Sequence, residues 1–480
     1  MSGRDLAGVV IAACTVLLVA ACSQTLEGKP VSVFDDPFHV AGMPASDGPT
    51  GLRPDAEEPS RDVTGGDGGE IDELAASSIS DIEDFWRGVY GETFDGQFRP
   101  VDDTISWDAE GFDGQFCGVD AYGSINAAFC IPDNTIGWDR GVLLPALREA
   151  NGDIAVTMVL AHEYGHAIQK MAKMNKKDTP TLVMEQQADC LTGVYMRWVA
   201  EDNSSRFTLS TGDGLNNLLA AMISFRDPLM SEFEYSGEQE HGSAFERISA
   251  FQFGFTDGAS ACTSIDLREI GQRRGDLPVM LPEDQTGEWP VSEESVRAIV
   301  DAMGILFSPA NPPQLRFDAS SASDCPDARP SPPASYCPAS NTIVVDLPEL
   351  EVMGAQSDDA DGGGVLSGDN TAYSVLVSRY MQAIQHERGG LVLDNAEAAL
   401  RTACLTGVAT TKMSKAVSTP DGNTIALTAG DVDEAVSGIL TNGLVASDVN
   451  GESVPSGFSR IDAFRVGVLG DEDRCFKRFP

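Results

Sequence analysis

His162-Glu163-Tyr164-Gly165-His166 puts two imidazoles four residues apart around a carboxylate. On a helix that spacing sets both histidines on one face, so both can reach a single divalent ion while Glu163 points into the same cleft. A surface helix with two solvated histidines would carry the same letters. The segment Val183-Met184-Glu185-Gln186-Gln187-Ala188-Asp189-Cys190 weighs against that, because Glu185 and Asp189 again lie four apart, on one face of a second helix. Packed on the first helix, that face delivers Glu185 as a third ligand. A His2Glu set leaves the fourth tetrahedral position open for water, as catalytic zinc requires. Asp189 is suited to accept the free ring N–H of a ligand histidine and fix its tautomer. An acidic solvated helix face is the alternative for this pair.

The chain has five histidines. His39 and His386 read as solvated. His241 opens His241-Gly242-Ser243, ahead of a helical stretch with Phe245, Arg247, Ile248 and Phe251. Two roles are open to it: donor to the oxyanion of a tetrahedral intermediate or to the substrate backbone, and structural histidine capping that turn.

Elements able to position these residues begin near Ser80-Asp81-Ile82-Glu83, where S-x-x-E reads as the capped start of a helix carrying Phe85, Trp86 and Val89. Residues 23–76, rich in Asp, Gly, Pro and Ser, read as a disordered acidic tether. The polar, Pro-containing stretch 271–295 reads as a linker, with another helix around Val296 to Met303.

Beyond the linker the sequence repeats itself. VLAHEYGHAIQK (159–170) is answered by VLVSRYMQAIQH (375–386), IPDNTIGWD (131–139) by PASNTIVVD (338–346), CLTGV (190–194) by CLTGV (404–408), and FERISAFQFG (245–254) by FSRIDAFRVG (458–467). The order is the same throughout, so the chain reads as a tandem duplication, each copy a lobe with its own core. In the second copy Ser378, Arg379 and Gln382 stand where His162, Glu163 and His166 stand in the first, and Ala399 and Ala403 replace Glu185 and Asp189. That lobe reads as non-catalytic, its helix kept for an apolar face of Val375, Leu376, Tyr380 and Ile384. The acidic run at 358–362 lacks the end carboxylates of a calcium loop and reads as a flexible insertion.

A formal charge of -42 over 480 residues excludes sequence-independent attraction to nucleic acid. Arg4, the apolar run from Leu6 to Ala21 and then Cys22 have the layout of an export signal. Val19-Ala20-Ala21-Cys22 resembles the bacterial lipobox, which implies cleavage before Cys22 and a lipid anchor there. Setting Cys14 and Cys22 aside from ten cysteines leaves eight, an even number in an exported chain. The spacing of Cys117 to Cys130 recurs between Cys325 and Cys337, and that of Cys190 to Cys262 between Cys404 and Cys475, so they are paired in that order.

HEYGHAIQ, EQQADCLTG, the Thr211-Gly212-Asp213 helix start and HGS-x-x-x-R, with a closing cysteine, together resemble the predicted neutral zinc metallopeptidases of bacteria over roughly residues 80–265. The lipid-anchored actinobacterial members, of the LpqM type, look most similar. Ala167 after the second histidine and Phe245-Glu246 before Arg247 depart from the usual pattern. The resemblance implies a gluzincin-like peptidase with His162, His166 and Glu185 on Zn2+ and Glu163 as base. Asn134 to Asp139 is expected to be a strand whose edge takes an extended peptide. The expected architecture is α+β: a signal peptide (1–22), the tether (23–76), a zincin-like lobe (77–270), the linker (271–295) and a degenerate copy of the lobe (296–480). The expected function is zinc-dependent hydrolysis of peptide or protein substrates on the outer face of a bacterial cell membrane. The alternative is a non-catalytic envelope lipoprotein that binds or scaffolds.

Overall fold

The computed structural model describes residues 36–111, 114–227, 241–281, 287–357 and 366–480. The signal segment with Cys22, the start of the tether and the acidic insertion at 358–362 lie outside the described residues. The described part is mixed α and β, about half helical, with small sheets. No helix among the described residues is long and apolar enough to cross a membrane.

Order starts far earlier than residue 77. Strands β1 (His39–Val40) and β2 (Met43–Pro44) pair with each other, and β3 (Gly51–Leu52) is held by a partner more than a hundred residues on, described below. Helix α1 then runs Glu70–Thr93. Ser80, Asp81 and Glu83, read from sequence as a helix start, are buried in the middle of α1. Asp81 accepts the Tyr195 hydroxyl at 2.7 Å and Glu83 accepts the Tyr164 hydroxyl at 3.0 Å. The polar letters mark a buried network rather than a cap, and their partners are too distant in sequence to be foreseen.

The first main sheet is built from β4 (Asp103–Trp107), β7 (Ala127–Cys130) and β8 (Thr135–Asp139), with the short hairpin β5 (Gln115–Phe116) and β6 (Val119–Asp120) between β4 and β7 in sequence. Its order is β4-β8-β7, with β4 parallel and β7 antiparallel to β8. The strand expected to offer an edge is therefore the central, fully buried one, and the edges belong to β4 and β7. Helices α2 (Leu143–Asn151), α3 (Asp153–Ala172) and α4 (Thr181–Ala200) follow. Next come β9 (Phe207–Thr208), which pairs with β3, then α5 (Asp213–Ser224), α6 (Ala244–Asp257), α7 (Ala259–Cys262) and α8 (Leu267–Arg274). Helix α8 intrudes on the stretch read as linker because Arg273 is buried, donating to the Glu246 carbonyl at 3.0 Å.

The second half opens with α9 (Glu293–Phe307), longer at both ends than its sequence signal. Strands β10 (Gln314–Arg316), β11 (Ala334–Cys337) and β12 (Thr342–Val345) make a sheet of order β10-β12-β11, β10 parallel and β11 antiparallel to β12. Then come α10 (Leu347–Met353), α11 (Asp369–Arg388), α12 (Ala396–Met413), the pair β13 (Val417–Ser418) and β14 (Thr424–Ile425), α13 (Asp431–Thr441), α14 (Gly457–Val468) and α15 (Glu472–Arg478). Four disulfides, Cys117–Cys130, Cys190–Cys262, Cys325–Cys337 and Cys404–Cys475, tie the described chain in the pairing read from spacing.

The repeated CLTG and FG letters have a shared physical cause. Helices α4 and α6 cross backbone to backbone: a Cβ on Gly254 would fall 1.7 Å from the Cys190 carbonyl oxygen, and one on Gly193 2.1 Å from that of Phe251. Helices α12 and α14 cross in the same way, Gly467 on Cys404 and Gly407 on Phe464. The halves do not bury separate cores. One continuous apolar cluster draws on both, with Phe255 against Phe458 at 5.1 Å and Phe245 against Phe464 at 6.4 Å. Helix α11 is buried nearly all round, whereas Ile384, expected on its inward face, is only half-buried.

At the start of α11 and α13, Asp369, Asp431 and Glu434 are all buried, with carboxylate oxygens within 4.8 Å of one another. Burial pushes Asp369 up to about 7 and Asp431 up to about 8, and burial together with Glu288 and the other two acids pushes Glu434 higher still. An acid whose pKa rises on folding binds its proton more tightly in the native state, so its stabilisation is full near pH 4 and is lost as pH climbs through the folded value. Melting temperature should therefore fall more steeply between pH 6 and 9 in the parent than in Asp431→Asn. Calorimetry at several pH values reads this, and parallel curves for the two proteins would refute the assignment.

Candidate metal centre

Helix α3 begins with Asp153 in its first turn, where a carboxylate favours the helix dipole, and ends where Lys173 turns left-handed (φ 53°). Between them an Ala-, Val- and Leu-rich run buries the helix in the core and carries His162, Glu163 and His166. Helix α4 starts after Pro180 and lies close against α3, because Gly165 faces Ala188: a Cβ on Gly165 would sit 3.0 Å from the Ala188 Cα. The small residues beside the ligand positions let the two helices approach until their side chains meet.

Three groups converge there. His162 Nε2 lies 3.0 Å from Glu185 Oε2 and His166 Nε2 lies 3.5 Å from Glu185 Oε1. The two imidazoles are perpendicular, with centroids 5.1 Å apart. Tetrahedral zinc with arms of about 2.0–2.1 Å separates its ligand atoms by roughly 3.3 Å, so these spacings suit the ion. The other ring nitrogens are occupied. His162 Nδ1 donates to Asp189 Oδ1 at 2.8 Å, and His166 Nδ1 faces Gln169 Oε1 at 3.2 Å. Both rings thus turn Nε2 toward Glu185, the orientation that ligation needs.

Asp189 is itself gripped. Arg247, from the second turn of α6, donates Nε to Oδ2 and Nη2 to Oδ1, both at 2.9 Å. Burial opposes ionisation of Asp189, but Arg247 and then His162 outweigh it and hold the carboxyl near pKa 2. Burial likewise opposes charge on His162, yet Asp189 and Glu185 push it up to about 10. Against the same burial, the two histidines hold Glu185 well below the usual carboxylate range. Two imidazole nitrogens and a carboxylate converging at these distances are a donor set that fits a divalent cation.

Glu163 lies on the β7 side, its Oε2 accepting the Phe129 N–H at 3.0 Å. His241 comes to the other side of Glu185, with Nε2 3.7 Å from Glu185 Oε2. Asp227 fixes it, accepting the His241 N–H at 3.1 Å, facing Nδ1 at 3.2 Å and accepting the Gly242 N–H at 2.9 Å. All six residues singled out from sequence are thus within one site. Arg247, Asp227, Gln169 and the Phe129 amide were missed as parts of it. A buried arginine in the apolar run FERISAF was a legible sign for Arg247; Asp227 and Phe129 carry none.

The aligned place in the second half is filled. Arg379, fully buried, donates Nε to the Ala334 carbonyl of β11 at 2.7 Å and Nη1 to Ser447 Oγ at 2.8 Å. Gln382 donates to the carbonyls of Ser447 and Asp448 at 3.1 and 3.0 Å. These residues are interior struts that bond the helix to β11 and to the segment after α13.

Residues 48–265 match the family model described as "Putative neutral zinc metallopeptidase". The chain is also similar to the "Uncharacterized protein YpfJ" of Escherichia coli strain K12 and of E. coli O6:H1, in each case 30% identical over 128 residues, covering 23% of this chain and 43% of the relative. The chain thus spans less than half the length of these curated relatives. No solved structure matches. The family match includes all the convergent residues, and its description points to zinc and to a hydrolase.

Asp189→Asn should weaken zinc binding about 10-fold or more, since outer-shell partners of ligand histidines contribute on that scale. Competition against a chromophoric chelator measures it, and parent affinity in this variant would remove Asp189 from the metal's support.

Proposed function

We propose that the chain is a zinc-dependent peptidase of the cell envelope, of the lipid-anchored actinobacterial kind. In this reading the first half is a zincin-like catalytic lobe and the second a degenerate tandem copy. The observation that carries it is the convergence of His162, His166 and Glu185, with their outer nitrogens already satisfied, beside a carboxylate that is free of the ligand set. A purely structural metal needs no base beside it, and Glu163 has a second oxygen beyond the one that takes the Phe129 amide. Matching strand order, disulfides and helix crossings support the duplication.

Zinc held there supplies a Lewis acid and a water nucleophile active near neutral pH. One Glu163 oxygen is held by the Phe129 amide, so the other is the proton acceptor as water attacks a peptide carbonyl, and afterwards the donor to the leaving amine. An extended peptide would lie along the β7 edge, beside that amide. His241, which Asp227 steadies beside Glu185, would donate Nε2–H to the developing oxyanion.

Glu163→Gln keeps an acceptor for Phe129 but no base. Zinc content should be unchanged while cleavage of a peptide library falls by about 100-fold or more. Cleavage at the parental rate would favour the binding or scaffold reading instead. Attachment should rest on Cys22: Cys22→Ser is expected to give unprocessed or soluble protein, and a variant still processed and sedimenting with membranes would sink the lipoprotein assignment.

A further inference from the structure

The second half sends one carboxylate into the first. Asp433, on α13 and buried, accepts the Ala244 N–H through Oδ2 and the Phe245 N–H through Oδ1, both at 3.0 Å. Those are the first two amides of α6, and the third, at Glu246, is taken by Ser243 within the lobe. A buried, charged acceptor of two aligned N–H groups at a helix start is a strong anchor. Burial pushes the Asp433 carboxyl up to about 6, against the pull of the two amides and of Arg226, so it is ionised at neutral pH.

What α6 carries makes the anchor consequential. Immediately before Ala244 stands His241-Gly242-Ser243, and three residues after it stands Arg247, whose fork sets Asp189 and through it His162. The contact has a counterpart running the other way: Asn216 Oδ1, on α5, accepts the Gly457 N–H of α14 at 2.8 Å. Gly457 is aligned with Ala244, so each half caps the corresponding helix of the other. Arg460, aligned with Arg247, serves no site; it donates to the Val454 and Leu440 carbonyls.

We infer that Asp433 is a positioning residue for the metal centre: the second lobe contributes to the reaction by fixing the start of α6, and with it Arg247, Asp189 and His241. This inference rests on the zinc reading above and assigns the second half a part in it.

The test uses the full chain with Asp433→Ala, Asp433→Asn and Asn216→Ala, reading zinc affinity by chelator competition, kcat and KM on one peptide, and melting temperature. Asp433→Ala should bind zinc about 10-fold or more weakly and lose kcat with little change in KM. Asp433→Asn, which keeps one acceptor oxygen, should fall between it and the parent and covers the case in which the alanine variant does not fold. Asn216→Ala should lower the melting temperature while zinc affinity and kcat stay at parental values. Parental zinc affinity and kcat in both Asp433 variants would overturn the inference, as would equal losses in Asn216→Ala, which would show that any weakening of the clasp acts through stability alone. A parent that takes up no zinc would instead end the metal reading, and this inference with it.

Discussion

Everything at this site depends on one buried carboxylate held between the Arg247 guanidinium and the His162 ring. Asp189 is 1% exposed and takes both Arg247 nitrogens on one side and His162 on the other. A carboxylate that deep is costly unless each lone pair is used, and truncating one member of such a chain typically costs several kcal/mol because the remainder is left unpaired. Arg247 offsets the charge of Asp189, which leaves Glu185 as the carboxylate that faces both imidazoles. Helix α6 is therefore as much a part of the centre as the helices that bear the ligands.

The aligned place in the second half is packed on a different logic. Where Glu163 accepts a strand amide of β7, Arg379 donates to a strand carbonyl of β11. The side-chain charge is of opposite sign and the partner is an acceptor instead of a donor, and in both halves the helix reaches its sheet. Among the described residues Arg379 has no carboxylate in hydrogen-bonding contact, and burial pulls it down to about 10, partly offset by Asp448. Carbonyl groups of the chain after α13 complete the packing there.

Much of this was legible because it was local or periodic. The spacing of His162 and His166, the i, i+4 pair of Glu185 and Asp189 and the paired cysteine intervals all follow from geometry within a few turns or from repetition. What was not legible joins distant residues. Residues 36–69 look like a tether by composition, yet Arg53 donates to the Phe207 carbonyl at 3.0 Å and β3 pairs with β9, so polar letters were answered by partners some 150 positions away. Ser80, Asp81 and Glu83 imitate a cap because a cap and a buried hydroxyl network use the same side chains. Asp433 could not have been assigned to the centre at all, since its partners are backbone amides of the other half.

The glycine crossing of α4 and α6 has a mechanical consequence. Two helices in backbone contact, with no side chain between them to shear, and with Cys190 tied to Cys262 just beyond α6, move as one block. Glu185, Asp189 and Arg247 all ride on that block, whereas His162 and His166 ride on α3. An ion bound among these side chains would tie that block to α3, against which Ala188 already packs at Gly165.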